Sequence, residues 1–191
     1  IRIPPILSMR LTSFASKPTF LNISSVFSPN SKAGVGDVGG NVKLLGDHIA
    51  LLDEAVVDAS GMAGGGEVLI GGNYLGLGPE PNASSVVLSE GAQVHADALS
   101  SGDGGRVIVW SDDRTEMHGT ITALGGPEAG NGGFVETSSA KVLHVTGRVS
   151  TAAPKGKAGE WLLDPEEVEI TSEDESASEE KTSDTLSEET S

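Results

Sequence analysis

The sequence predicts an all-β protein, a parallel β-helix (solenoid) of about five coils, and three observations support this. A short frame, in which a glycine enters an alternating apolar strand, recurs five times, with copies beginning at residues 39, 65, 104, 132 and 158. All 26 glycines fall between Gly34 and Gly159, inside the stretch that carries these repeats. Aromatic residues make up only 4% of the chain, so small and β-branched side chains must fill a narrow interior. Repeats that cannot bury their own apolar faces are typical of stacked coils.

Each coil is predicted to begin with its frame and to continue into further short strands. In the clearest copy, Val107 and Val109 alternate with other residues after a glycine pair, and Ile121 and Ala123 share one face of a later strand. A period of two bounded by turn residues indicates β-structure. Because every coil must return to the same corner, strands of successive coils should stack in parallel, about 4.8 Å apart. Glycine tolerates positive φ and close backbone approach, so it is expected at that corner.

One residue in two on each strand is predicted to point into the solenoid. Trp161 takes the position that valine holds in other coils, which predicts a wider terminal coil or a cap. The predicted inward residues are Val42, Leu44, Ile49, Leu51, Val57, Val68, Ile70, Val94, Val107, Val109, Ile121, Val135, Leu143, Val145, Val149, Trp161 and Leu163.

The domain organisation follows from composition. Residues 1–33 are predicted to be an irregular lead-in, with residues 19–28 assigned to a preceding coil. Residues 34–170 are predicted to form the repeat domain, and 171–191 a disordered acidic tail rich in Ser, Thr and Glu. The chain starts at Ile1 rather than methionine, so we expect a fragment or a processed form.

Charge and residue usage exclude several classes of function. The net charge of −16 repels phosphate backbones, so no nucleic-acid partner is predicted. The chain has no cysteine, which rules out disulfides and thiolate chemistry within it. No apolar run approaches the roughly 18 residues of a transmembrane helix.

One interval between frames is longer than the others and predicts an inserted loop. The interval from 65 to 104 is 39 residues, which exceeds the preceding 26 by 13. We assign the excess to residues 72–84 and consider two alternatives: a loop that bulges outward as a contact surface, or one in which Tyr74 and Leu77 fold back to cover an edge of the stack. The candidate contact residues are Asn73, Tyr74, Leu75, Leu77 and Asn82, the last within a glycosylation-type Asn-x-Ser triplet.

Several stretches together resemble a known family. Residues 65–72, 96–98, 102–112, 132–138 and 162–165 are similar to the passenger repeats of filamentous-haemagglutinin-like large exoproteins, the secreted partners of bacterial two-partner secretion systems. This resemblance implies a right-handed parallel β-helix and export through an outer-membrane transporter. It also implies a secreted or cell-surface location and adhesion to a host or neighbouring-cell receptor or glycan. Residues 1–33 match neither the family's amino-terminal secretion domain nor a signal peptide.

The residues offer little catalytic or metal-binding chemistry. The four histidines share no repeat position, and no His-x-x-x-His spacing occurs. Asp112 and Asp113 beside Arg114 come nearest to the acid-and-base set of β-helix lyases. Their pattern is more typical of polar residues in an exposed turn. We therefore predict no catalytic residue, no metal and no cofactor.

The leading interpretation is a non-enzymatic segment of a haemagglutinin-like or adhesin-like exoprotein, acting as shaft or adhesive surface. One alternative is a polysaccharide lyase or hydrolase on the same scaffold; another is a fragment without a function of its own. A cleft with converging acids and a base would favour the enzyme.

Overall fold

A computed structural model describes residues 8–10, 37–164 and 167–170, and they form a parallel β-helix, as predicted. The predicted tail 171–191 and nearly all of the lead-in 1–33 lie outside the described residues. Within the described ranges, no helix has the length and apolar character needed to cross a membrane.

The strands are numbered in chain order through the described ranges. They are β1 (Ser8–Arg10), β2 (Asn41–Leu45), β3 (His48–Leu51), β4 (Val56–Asp58), β5 (Glu67–Ile70), β6 (Ser85–Leu88), β7 (Gln93–His95), β8 (Arg106–Ser111), β9 (Arg114–Met117), β10 (Thr120–Thr122), β11 (Phe134–Ser139), β12 (Val142–Val145), β13 (Arg148–Ser150), β14 (Glu160–Leu162) and β15 (Glu167–Ile170). A short 3-10 helix, Tyr74–Gly76, lies between β5 and β6.

The strands form three sheets that run along the solenoid. The first sheet has the order β1-β2-β5-β8-β11-β14, the second β15-β12-β9-β6-β3, and the third β13-β10-β7-β4. Four complete coils give one strand to each sheet, and β14 and β15 belong to a fifth. The register keeps equivalent residues in line: Val68 pairs with Val107, which pairs with Val135.

The interior is the apolar column that the alternation predicts. From the first coil to the fourth, every predicted inward residue up to position 145 is buried, and Val149 and Leu163 are partly buried against this core. Trp161 is the exception. It stands in register with the inward Val135, yet it is 40% exposed. Its strand is the last of the first sheet, so no described strand covers its far side, and its indole N–H donates to Thr137 Oγ1 over 2.8 Å.

Each coil closes on itself at its glycine pair, where two backbones come too close for a side chain. A Cβ added to Gly104 would lie 2.2 Å from the carbonyl oxygen of Ala123, at the end of the same coil. A Cβ added to Gly105 would lie 2.1 Å from the oxygen of Gly66 in the preceding coil. Neither Gly104 nor Gly105 has positive φ. Close approach is therefore the reason for glycine here, and the predicted need for positive φ does not apply to this pair.

The middle strands of the first sheet, β5, β8 and β11, are buried on both faces, which the alternation did not predict. Leu69, Ile108 and Trp110 point away from the interior but are 1%, 0% and 7% exposed. They form a second apolar cluster, against which Phe134 and Ala140 pack. A sheet covered on both sides carries continuous apolar runs, as residues 107–110 do.

Candidate functional site

The second cluster is covered by residues 72–84, which we call the strap. The strap departs from the second coil after β5, crosses the outer face of the first sheet and rejoins the coil before β6. Its backbone reaches the fourth coil, where the Leu75 N–H lies 3.1 and 3.3 Å from the two carboxylate oxygens of Glu136. The structure matches neither arrangement in full: the loop folds back onto a sheet face through Leu75 and Gly76, and Tyr74 and Leu77, which were to cover an edge, stay 39% and 68% exposed.

Glycines let the strap lie flat on the indole of Trp110. Gly76 has φ of +65°, and a Cβ added there would lie 2.5 to 2.7 Å from atoms of the Trp110 ring. The neighbouring Leu75 also has a positive φ, of 54°, which is uncommon for a residue with a side chain. Gly71, at the base of the strap, has φ of +77° and its oxygen accepts a 2.6 Å hydrogen bond from the Ala83 N–H.

An aromatic and cationic contact holds the outer edge of the strap. The Tyr74 ring meets the Phe134 ring edge to face, with centroids 5.8 Å apart. The Arg106 guanidinium carbon lies 5.4 Å from the Tyr74 centroid and 5.8 Å from that of Phe134. Such cation–π contacts contribute about 0.5–1 kcal/mol when partly exposed. This contact therefore contributes modestly to the stability of the strap on the sheet.

Two polar anchors complete the attachment. The Glu80 side chain, 8% exposed, accepts 2.5 Å and 2.8 Å hydrogen bonds from Lys43 Nζ and Asn73 Nδ2. The hydrogen bond from Lys43, and then that from Asn73, lowers the pKa of Glu80 to about 2. The Asn82 amide donates to Gly76 O over 3.1 Å. It also donates to Asp112 over 2.9 Å. The side-chain amide of Asn82, the asparagine of the glycosylation-type triplet, therefore makes two hydrogen bonds within the fold.

A buried carboxyl lies under the strap. Glu136 is fully buried, in register with Ile108 on the outer face of the sheet. Burial, the largest influence, raises its pKa above the ordinary value, while hydrogen bonds from the Leu75 N–H and Ser138 and the charge of Arg106 act in the opposite direction. Since Glu136 has no solvent access in this structure, no substrate can reach its carboxyl group.

The predicted contact residues divide into two groups. Tyr74 and Leu77 are 39% and 68% exposed, although the Tyr74 ring also packs against Phe134 and Arg106 of the first sheet. Asn73, Leu75 and Asn82 are half-buried and hold the strap in place through the hydrogen bonds described above. The exposed surface of the strap therefore includes Tyr74 and Leu77, together with Gly78 and two prolines, Pro79 and Pro81.

The acids near β9 do not converge. Asp113 pairs with Lys141 over 2.5 Å, and Arg114 pairs with Glu116 over 2.6 Å, so each charge has its own partner on the surface. Asp112 accepts a hydrogen bond from the Trp110 indole over 3.2 Å. Within the described residues, no group of three or more His, Asp or Glu side chains could hold a metal ion.

Sequence reasoning missed the residues on the sheet side of this site, namely Arg106, Trp110, Phe134 and Glu136. A signal was present, because residues 107–110 are continuously apolar where a strand with one wet face would alternate. That run indicates a cover over the outer face. It does not say which segment provides the cover.

Comparison with known proteins supports the resemblance seen in the sequence. No family model matches the chain, and no curated protein does. Among solved structures, it is similar to the crystal structure of the HMW1 secretion domain from Haemophilus influenzae, with 31% identity and a TM-score of 0.53 over 68% of this chain and 33% of that one. The chain thus spans about a third of that domain. The predicted resemblance is confirmed: this chain has a filamentous-haemagglutinin-like β-helix, similar to part of the secretion domain of a two-partner secretion passenger.

Proposed function

We propose that this chain is a non-enzymatic β-helical segment of a secreted or surface-exposed exoprotein, exported through the outer-membrane transporter of a two-partner secretion system. The observation that carries the proposal is the 31% identity, combined with a shared fold, to a protein described as a secretion domain. The four stacked coils form a continuous shaft in which Glu136 is buried and does not line an open cleft, which supports a structural role.

The arrangement of acids supports the non-enzymatic part of the proposal. A glycosidase needs two carboxyl groups flanking a bond, and a lyase needs an acid and a base facing one substrate. Here Glu136 lies beneath the strap, and Asp113 and Glu116 are each paired with a surface cation. These groups do not share an accessible cleft.

Transporter-dependent export tests the proposal. The full chain, fused behind a leader for the inner membrane, is produced in a Gram-negative host with or without the outer-membrane transporter of a two-partner system. We expect folded chain in the medium when the transporter is present and chain retained in the periplasm when it is absent. Equal retention in both hosts would contradict the proposal, and an unrelated periplasmic protein controls for leakage.

We further propose that the outward surface of the strap contacts a receptor or glycan on a host or neighbouring cell. The support is that Leu77, 68% exposed, and Tyr74, 39% exposed, are both presented by the strap, in a chain whose net charge is −16. Exposed apolar groups grouped on a surface often mark contact sites.

Exchange of one exposed leucine for serine separates contact from folding. Leu77→Ser should lower binding of the purified chain to target cells several-fold and leave the thermal midpoint unchanged. The matched control is Leu99→Ser, at a leucine that follows β7 and is 54% exposed. This variant should bind target cells as the unsubstituted chain does. Equal binding by both variants would remove the strap as the contact surface.

A further inference from the structure

A groove runs along the corner where each coil closes on itself, next to the strap. It has a volume of about 730 Å³ and extends from the second coil to the fifth. Its floor is the backbone of the glycine pairs, and the second glycine of each pair lies against the preceding coil, too close for a side chain. The polar groups that line it include Arg106 on the first sheet, and Asp103, Asn131 and Lys157 before the strands of that sheet.

Arg106 stands out in this groove, because its guanidinium group is held in place without hydrogen bonds. Its carbon lies 5.4 Å from the Tyr74 centroid and 5.8 Å from that of Phe134, so two aromatic rings fix its position. Within the described residues its Nε is buried without a partner, and the carboxylate of Glu67 lies 4.0 Å from Nη1, beyond hydrogen-bond distance. The side chain is nevertheless 41% exposed, so its terminal Nη groups are the donors that a ligand in the groove can reach.

A second cation, Lys157, lines the same groove two coils further on. Its side chain is exposed and makes no ion pair within the part of the chain that the structure describes. Two coil spacings place it on the order of 10 Å from Arg106 along the solenoid. Of the acids in the groove, Asp103 accepts hydrogen bonds of 2.7 and 3.2 Å from Asn131, and Glu160 is exposed at the fifth coil. Two cations therefore remain available to a ligand.

We propose that this groove binds a glycan whose sugars carry carboxylate groups, with Arg106 as the principal contact and Lys157 as the second. A guanidinium presents paired N–H donors that match the two oxygens of a carboxylate, and an arginine already fixed by stacking loses little freedom on binding. The net charge of −16 does not prevent this, because exposed charges more than about 8 Å away are largely screened at physiological salt. The inference does not depend on the proposed export or on the contact through Leu77.

The lining of the groove favours a glycan over other extended chains. Apart from glycine, Phe134 and Ala158 are its only apolar residues, so it lacks the pockets that usually receive the apolar anchors of a peptide. A nucleic acid carries a phosphate on every nucleotide, and two cations in an acidic chain cannot neutralise such a backbone. An open floor of glycine backbone with two separated cations instead suits an extended sugar chain that lies along the solenoid and bears several acid groups.

Calorimetric titration of the full chain with a hyaluronan tetrasaccharide, in which alternate sugars are uronates, tests this proposal. We expect saturable binding, and the same tetrasaccharide with its carboxyl groups methyl-esterified should not bind. Arg106→Gln should weaken binding about tenfold or more, because hydrogen bonds to a charged group are lost. The matched control is Arg148→Gln, at an exposed arginine on β13, which changes the net charge equally and should bind as the unsubstituted chain does. Leu77→Ser should also bind the tetrasaccharide normally.

Three results would overturn the proposal: no saturable binding by the unsubstituted chain, equal binding of the acid and its ester, or equal affinities of the Arg106→Gln and Arg148→Gln variants. Displacement of the tetrasaccharide by sodium sulfate, but not by sodium chloride at equal ionic strength, would show a general anion site and would also overturn it. If Arg106→Gln loses the sheet signal in circular dichroism, Lys157→Gln replaces it, because that side chain is exposed. This variant should bind several-fold more weakly, and an unchanged affinity would then count against the groove.

Discussion

Replacing Gly104 with alanine should lower the free energy of unfolding by about 3 kcal/mol or more. The new methyl group would lie 2.2 Å from the oxygen of Ala123 and 2.6 Å from the nitrogen of Gly133. All these atoms belong to backbone that is fixed by hydrogen bonds between coils, such as Gly104 N–H to Asn131 O at 2.8 Å. Relief of the collision requires the coil to open where it closes on itself. The loss should therefore exceed that of an ordinary surface substitution.

Gly46→Ala is the matched control, because a Cβ there would have no neighbour closer than 3.8 Å. Its expected effect is between no change and a gain of about 1 kcal/mol, since alanine restricts the unfolded chain. Denaturant unfolding followed by circular dichroism measures both variants. Similar midpoints for the Gly104 and Gly46 variants would show that the close approach is not what selects glycine in the frame.

The stacking of coils could be predicted from the sequence because two independent patterns agree. The recurring glycine pairs mark the point where each coil closes, and the alternation around Val107 and Val135 marks the inward face. Parallel in-register stacking then places like residues on like residues. The register has Ile49 beside Val86 and Leu51 beside Leu88, all four of which are buried.

The position of the strap in the sequence could be predicted, but its path over the fold could not. An excess of 13 residues in one interval identifies an insertion, whereas its path depends on contacts between distant residues. Leu75 meets Glu136, which is 61 positions away in the sequence, and Lys43 meets Glu80 across 37. A glutamate in a strand reads as an outward, hydrated residue until something is known to cover it. No local pattern reveals that cover.

The two tryptophans show the same limit from opposite directions. Trp161 was predicted to point inward because it aligns with valines, and it does stand in register with the inward Val135, but it is 40% exposed because its strand is the edge of the first sheet. Trp110 was not in the predicted core, yet it is buried between the sheet and the strap. Alternation gives the side of a strand on which a residue lies. Burial depends also on what packs against that side.

The central claim is that the strap makes the outer face of the first sheet a second core, and comparison of the two tryptophans tests it most directly. Trp110→Ala should lower the free energy of unfolding by about 3–5 kcal/mol, because it leaves a cavity under Gly76 and removes the hydrogen bond to Asp112. Trp161→Ala, at a side chain already 40% exposed, should cost about 1 kcal/mol.

Chemical unfolding of both variants beside the unsubstituted chain gives the two values. We expect the loss for Trp110→Ala to exceed that for Trp161→Ala by about 2 kcal/mol or more, as for a buried against a half-exposed tryptophan. Equal losses, or a larger loss for Trp161→Ala, would contradict the claim that the strap covers a second core. They would instead indicate a loop that bulges into solvent.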